Sequence, residues 1–270
     1  MVFTEIVQVS NPIHDPVWRS LREDAATLVQ REAVLAGFVH TAVLNHSTFE
    51  DALSYLLAKK IGNAYLPSLQ MHDLLKEAIA RDPSIAVAAR ADLVAMRERN
   101  PACRSLLEAF LFYKGFLALE IHRASHWFWN QKRYALALLL QSRISRLFHV
   151  DIHPAARIGT GVMIDHASGV VIGATAVVGD DVSILHAVTL GGTGKAAGDR
   201  HPKVGDGVLL SVGATVLGNV AVGARAQVGA GSVVLGVVPP DMSAVGVPAR
   251  LRLRSRRTVP AETMDHVGEA

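Results

Sequence analysis

The sequence predicts an α+β chain: an all-helical N-terminal domain over residues 1–148, a triangular coil of short strands over 149–250, and a short C-terminal tail over 251–270. Three observations carry that prediction. Capping signatures and prolines punctuate helix-length apolar segments up to about residue 148. A six-residue aliphatic period then replaces the helical one, and Gly, Val and Ala take over the composition where the period changes.

In the first part, Ser47-Thr48-Phe49-Glu50 is a capping-box pattern ahead of ALSYLLAKKI, and Ser105 with Glu108 repeats it ahead of AFLFYKGFLALEIHRASHWFWN. Pro16, Pro67, Pro83 and Pro101 stand where a first helical turn tolerates the missing N–H. Five or more helices are expected. Trp127 and Trp129 read as core packing. Cys103, with no base motif around it, reads as a small core or near-surface residue rather than a nucleophile.

In the second part, every sixth residue is aliphatic in three runs: Ile152, Ile158, Ile164; then Ile172, Val178, Ile184, Leu190; then Val204, Leu210, Val216, Val222, Val228, Val234. Glycine follows directly at Gly159, Gly173, Gly179, Gly191, Gly205, Gly223 and Gly229. Short strands joined by tight turns fit this period, three hexads to a coil, with the aliphatic residue inside and the glycine relieving a corner. An ordinary β-sandwich predicts alternation of period two and explains neither the phase nor the glycines.

The pattern over residues 150–240 resembles the left-handed parallel β-helix of hexapeptide repeats. Two breaks interrupt it. Ile164 to Ile172 is eight residues instead of six, with the surplus in DHASGVV, and Leu190 to Val204 is fourteen, so GGTGKAAGDRHPK adds a loop. Insertions in a repeat array emerge on the surface and build binding faces. Both breaks contain histidine.

The charge is close to balanced: the formal net charge is +3, but between Asp151 and Ala249 there are 5 Lys/Arg against 7 Asp/Glu, and Arg250, Arg252, Arg254, Arg256 and Arg257 crowd one stretch expected to be a solvated tail. That is no nucleic-acid footprint. One cysteine excludes an intramolecular disulfide and a thiolate metal cluster. The start MVFTEIVQVSNP lacks a basic region followed by an apolar run, and ALALLL at 135–140 is far short of the roughly 20 residues of a membrane span, so a cytoplasmic protein without a membrane partner is expected.

VDIHPAARIG, DHASG, VSILHAVTLGGTGK, GDRHPK and GVPAR, behind a helical part carrying ALSYLLAKK and YKGFLALEIHRASHWFWNQ, resemble the serine O-acetyltransferases of the hexapeptide-repeat acyltransferases. The resemblance implies transfer of acetyl from acetyl-CoA to the hydroxyl of L-serine, on the route to cysteine. Such a reaction needs a base for the hydroxyl, and a histidine with an unperturbed pKa near ~6.5 suits it. His166, in the first break, is the candidate and matches the family's catalytic histidine. By the same resemblance Asp151 is the carboxylate that orients it, and Asp165, Arg200 and His201 hold serine. Gly192 and Ala230 lie along acetyl-CoA, and the N–H of Gly192 is placed to help an oxyanion. His149, His153 and His186 lack motif support and read as structural.

Three departures from the family pattern stand out. Asn100, in RNPAC, replaces an aspartate expected to pair with the serine ammonium, leaving Asp165, Asp82 or another carboxylate to take it, or a related acceptor such as homoserine. Gln227 stands where a lysine is common, removing one contact to a CoA phosphate. The chain ends HVGEA rather than in isoleucine, which argues against docking to cysteine synthase. The resemblance also implies inhibition by L-cysteine and a homo-oligomer, a trimer or a dimer of trimers. No metal is expected: within the repeats over 150–240 no two histidines have the spacing that a zinc site of the γ-type carbonic anhydrases would use. A purely structural scaffold would leave both breaks unexplained.

Overall fold

The computed structural model describes residues 15–194, 197–253 and 259–263. The chain start and the HVGEA end, on which two of the expectations above rest, lie outside these residues, as do Arg254, Arg256 and Arg257.

The helical part runs α1 (Pro16–Arg31), α2 (Ala36–Val39), α3 (Phe49–Ile61), α4 (Ser68–Arg81), α5 (Ser84–Arg99), α6 (Leu106–Phe112), α7 (Lys114–Asn130) and α8 (Tyr134–Phe148), with a 3₁₀ turn before α2 and a π-helical turn at 40–44 after it. Local chemistry sets the ends. Asp15 caps α1, accepting from Trp18 N at 3.0 Å, with Pro16 at the first helical position. The capping of α3 falls one residue later than the sequence pattern suggested: Thr48 rather than Ser47 is the cap, accepting from Asp51 N. Ser105 caps α6 through Glu108 N as expected. Pro67 and Pro83 immediately precede α4 and α5, whereas Pro101 sits in the turn after α5 and starts no helix. No helix among the described residues is long and apolar enough to cross a membrane.

After His149, which closes α8 in a left-handed conformation, the chain coils through three sheets, parallel except for the last strand of the third. The first holds β1 (Val150–Ile152), β4 (Val170–Ile172), β7 (Thr189–Gly191), β10 (Thr215–Leu217) and β13 (Val233–Val234). The second holds β2 (Arg157–Ile158), β5 (Val177–Val178), β8 (Lys203–Val204) and β11 (Ala221–Val222). The third holds β3 (Met163–Ile164), β6 (Ser183–Ile184), β9 (Leu209–Leu210), β12 (Gln227–Val228), β14 (Met242–Val245) and β15 (Arg250–Leu253). The aliphatic period becomes three columns of stacked side chains. Ile152, Ile172, Leu190, Val216 and Val234 are in register in the first sheet, and Ile164, Ile184, Leu210 and Val228 in the third. Of the thirteen positions only Ile158 is not fully buried.

Residues 251–270, expected as a tail, begin in ordered structure: β15 pairs antiparallel with β14, and α9 (Pro260–Thr263) returns to the coil. There Ala261 is buried and its carbonyl accepts from Ser183 Oγ at 2.8 Å. Exposed backbone at a sheet edge is a template for pairing, and β15 covers that edge with the chain's own strand.

Helices α5 and α7 pack on β3, and charged side chains make the joint. Arg99 Nη1 donates to Gly161 O at 2.9 Å, Arg123 Nη2 to Gly159 O at 2.7 Å, and Asp92 accepts from Val162 N at 2.7 Å. The corner of the first coil is thus satisfied by the helical part, so the helices are fixed against the first break.

Candidate active site

The expected helix from Ala109 to Asn130 is broken at Tyr113, and the break builds the site. Gly115 lies against Ile164, so that a Cβ there would fall 1.8 Å from Ile164 O. Only glycine lets α7 begin so close to the strand that precedes Asp165 and His166. The first break then forms a tight turn in which His166 (φ 54°) and Ala167 (φ 59°) are both left-handed and Gly169 has φ 80°. Two successive non-glycine residues in that region cost about 1–3 kcal/mol each and persist only where the surroundings over-determine them. Here they do: Asp165 Oδ1 accepts from His166 N at 3.0 Å, Gly169 N donates to His149 O at 2.7 Å, and Ala187 N to Ser168 O at 2.8 Å.

A cleft of about 650 Å³ opens over this turn, lined by Asn100, Tyr113, Lys114, Asp165, His166 and His186 among others. His166 is 72% exposed and its Nε2 lies 3.6 Å from Asp165 Oδ2. Asn100 Nδ2 donates to Asp165 Oδ1 at 3.0 Å, while Asn100 Oδ1 accepts from Ala102 N at 2.9 Å. Asn100 therefore turns its donor toward the site and spends its carbonyl on its own loop. The carboxylate free to face a bound cation is that of Asp165. Lys114 Nζ donates to Ser168 Oγ. Burial, with Cys103 adding to it, pushes the Tyr113 hydroxyl up to about 12, so it is a neutral donor at any working pH. An exposed imidazole beside a half-buried carboxylate can accept a proton from a hydroxyl and have the resulting cation stabilised.

His166, Asp165 and Asn100 are brought together; the other expected site residues are elsewhere in the protomer. Asp151, on β1 opposite Val171, accepts from Gln141 Nε2 at 2.7 Å, and among the described residues no hydrogen bond or ion pair joins it to His166. Arg200 and His201 sit at the corner between the first and second sheets, whereas His166 sits at the corner between the third and first. The N–H groups of both donate to Thr175 Oγ1 at 3.1 Å, and His201 is buried against Gly173. Burial first, then Arg200 and Lys203, hold the His201 imidazole below its ordinary pKa. Gly192 shares that corner and packs against the Arg200 stem. Ala230 is exposed on the same edge as His166, three coils further on. Asp82, whose Oδ1 accepts from Ser84 N and Oγ, faces a separate hollow. Gln227 is buried within β12.

His186 was missed as a cleft residue. Its ring meets that of His166 edge-on, centroids 5.6 Å apart at 90°. The signal was present: His166 is two places after Ile164 and His186 two after Ile184, so the register of the period puts both on one edge. For Lys114 and Tyr113, contributed by a helix break, no repeat register applies. Among the described residues no group of three or more His, Cys, Asp or Glu side chains is placed to hold a metal ion.

Residues 17–121 match the family described as serine acetyltransferase, N-terminal. The serine acetyltransferase of Escherichia coli K12 is 48% identical over 249 residues, covering 92% of this chain and 91% of its own length. Among solved structures, the serine acetyltransferase of Vibrio cholerae O1 biovar El Tor has a TM-score of 0.91 at 47% identity, over 93% of this chain and 97% of that one. The soybean serine acetyltransferase complexed with serine has a TM-score of 0.86 at 54% identity, over 87% and 97%. Related structures hold cysteine, at 48% identity, or, from Brucella abortus, coenzyme A, at 43%. The likeness runs through the helices and the coil alike, and the chain belongs to the serine acetyltransferase family.

Proposed function

We propose that this chain transfers the acetyl group of acetyl-CoA to the hydroxyl of L-serine: His166, as the general base, takes the hydroxyl proton as the oxygen attacks the thioester carbonyl, and returns it to the thiolate of CoA as the C–S bond breaks. The observation that carries this reading is the cleft at the first break, where the exposed His166 imidazole stands beside Asp165. Asp165, the half-buried carboxylate of the cleft, takes the serine ammonium, because Asn100 has no free carbonyl to offer. Asp151, on the strand next to the one that the turn feeds, is assigned the orienting role. Cysteine keeps serine's ammonium and carboxylate and competes for the same place.

The remaining site residues suit a neighbour's prism. The first sheet is bounded on one edge by the His166 turn and on the other by the Arg200–His201 loop, one coil apart. Three protomers about an axis parallel to the prisms set one edge against the other, so that Arg200 meets the serine carboxylate held over a neighbour's His166. Acetyl-CoA lies in that seam. At ~4.8 Å per coil, His166 and Ala230 are roughly 14 Å apart along one edge, a span that an extended thiol arm covers. With its lone cysteine buried and no disulfide to form, the chain is assigned to the cytoplasm.

The test is a side-by-side assay of L-serine, D-serine, L-homoserine and L-threonine with acetyl-CoA, in the wild type and in His166→Ala. L-serine is expected to give the highest kcat/KM, and His166→Ala to lose about 10²–10⁴-fold in kcat with little change in the KM for acetyl-CoA. A higher kcat/KM for homoserine would overturn the acceptor; near wild-type turnover in His166→Ala would overturn the base.

A further inference from the structure

The turn that carries His166 is held by the helical part at two points. On one side Asn100, at the end of α5, donates to Asp165. On the other, Lys114, the first residue of α7, donates to Ser168 Oγ. Between them stand the two left-handed residues, His166 and Ala167. We propose that Lys114 is a positioning residue for the transfer reaction: by holding Ser168 it keeps the strained turn in the geometry from which His166 acts. This rests on the reading of His166 as the base.

Four observations support it. The root of Lys114 is immobile, because its neighbour Gly115 is seated against Ile164 with no room for a Cβ. The hydroxyl it holds is two residues from His166, on the far side of the strained pair. The carbonyl of Ser168 is also tied, to Ala187 N at 2.8 Å, and Ala187 follows His186, whose ring lies against His166. Lys114 is half-buried as a residue, and its one side-chain hydrogen-bond acceptor among the described residues is Ser168. A lysine on the surface would be solvated. One whose stem is trapped and whose head meets a hydroxyl in the catalytic turn restrains that turn.

The contact also explains why the first break is eight residues long. The next coil turns the same corner in six residues, Ile184 to Leu190, against eight from Ile164 to Ile172. Two additional residues lift His166 out of the prism, and a lifted turn needs an anchor outside the repeat. The helix start supplies it.

The test compares Lys114→Met, Lys114→Arg, Ser168→Ala and the Lys114→Met/Ser168→Ala double variant as full-length assembled protein, with assembly and melting temperature checked. Lys114→Met and Ser168→Ala are expected to lower kcat by similar factors, roughly 10–100-fold, since small misplacements of a catalytic group cost this much. The KM for acetyl-CoA should stay within about 2-fold, Lys114→Arg should recover most of the loss, and the double variant should be no worse than either single one. Hydrogen exchange read by mass spectrometry should speed up in the peptide spanning 164–172 in both single variants. Multiplicative losses in the double variant, or a raised KM for serine at unchanged kcat, would overturn the proposal by making Lys114 a direct substrate contact. Faster exchange with unchanged kcat would overturn it too. His166→Ala, run in parallel, separates the failures: if it keeps its turnover the base reading falls, whereas the exchange data report on the turn whatever His166 does.

Discussion

At the scale of single residues, the joint between helices and coil contains an imbalance of charge. Asp92, Glu120 and Arg123 are all buried, two carboxyl groups for one guanidinium. Asp92 has the better claim: its Oδ2 accepts from Arg123 Nε at 3.0 Å and Nη2 at 2.5 Å, and its Oδ1 accepts from Val162 N. Neither oxygen of Glu120 receives a hydrogen bond, and Arg123 Nε is 3.5 Å away. Burial, then repulsion from Asp92, therefore hold Glu120 well above the usual carboxylate range and favour its protonated form. Its folded pKa exceeds its unfolded one, so folding takes up a proton; this contribution is complete below about pH 4.5 and is lost as the pH rises. An amide needs no proton. Glu120→Gln should raise the melting temperature at pH 8 by roughly 2–4 °C, the effect of about 1 kcal/mol at this length, and the gain should shrink toward pH 4.5. Calorimetry across that range checks it; a loss of stability at pH 8 would mean that Glu120 is ionised.

At the scale of elements, two helical glycines illustrate how a neighbouring element decides what a helix tolerates. Gly37, in α2, has open space around the position of a Cβ, and Gly115, in α7, has the Ile164 carbonyl at 1.8 Å. Propensity alone favours alanine by ~1 kcal/mol at either position. For Gly37→Ala nothing opposes that gain, and the denaturation midpoint should rise by an equivalent of about 0.5–1 kcal/mol. For Gly115→Ala the clash is with backbone; α7 must back away, and overpacking of this kind costs ~1–3 kcal/mol. Gly115→Ala should therefore be less stable than the wild type and lose turnover as well, since the same contact sets the start of α7. Equal midpoints in the two variants would reject the seating of α7 on β3.

At the scale of the whole molecule, the edges of the prism argue for assembly. The outward positions of the first sheet, Asp151, Val171, Thr189, Thr215 and Val233, form a flat column of short side chains, with Val171 39% exposed. Light scattering should give three or six times the 28.9 kDa protomer. A sharper prediction is complementation. His166→Ala and Arg200→Ala should each be nearly inactive, yet co-expressed they should regain about a quarter of the sites by chance pairing of intact edges, if each site takes its base and its arginine from different protomers. No recovery in mixed assemblies would place both residues in one protomer's site.

The chain's own pattern determined the coil, its three columns and the location of both insertions, because a six-residue period acts locally: each hexad advances the chain by one face whatever lies outside. The break in that period singled out His166, and the family resemblance added Asp165. Which other residues reach the His166 turn depended on tertiary structure. Tyr113 and Lys114 enter the cleft, and Asn100 meets Asp165, because α5 and α7 dock on the first coil through Arg99, Arg123, Asp92 and Gly115, contacts between residues 36 to 70 positions apart that no local period encodes. The folded chain likewise separates Arg200 and His201 from His166. Motif proximity in sequence carries no corner assignment across an insertion, whereas the prism places the two breaks on opposite edges of one face.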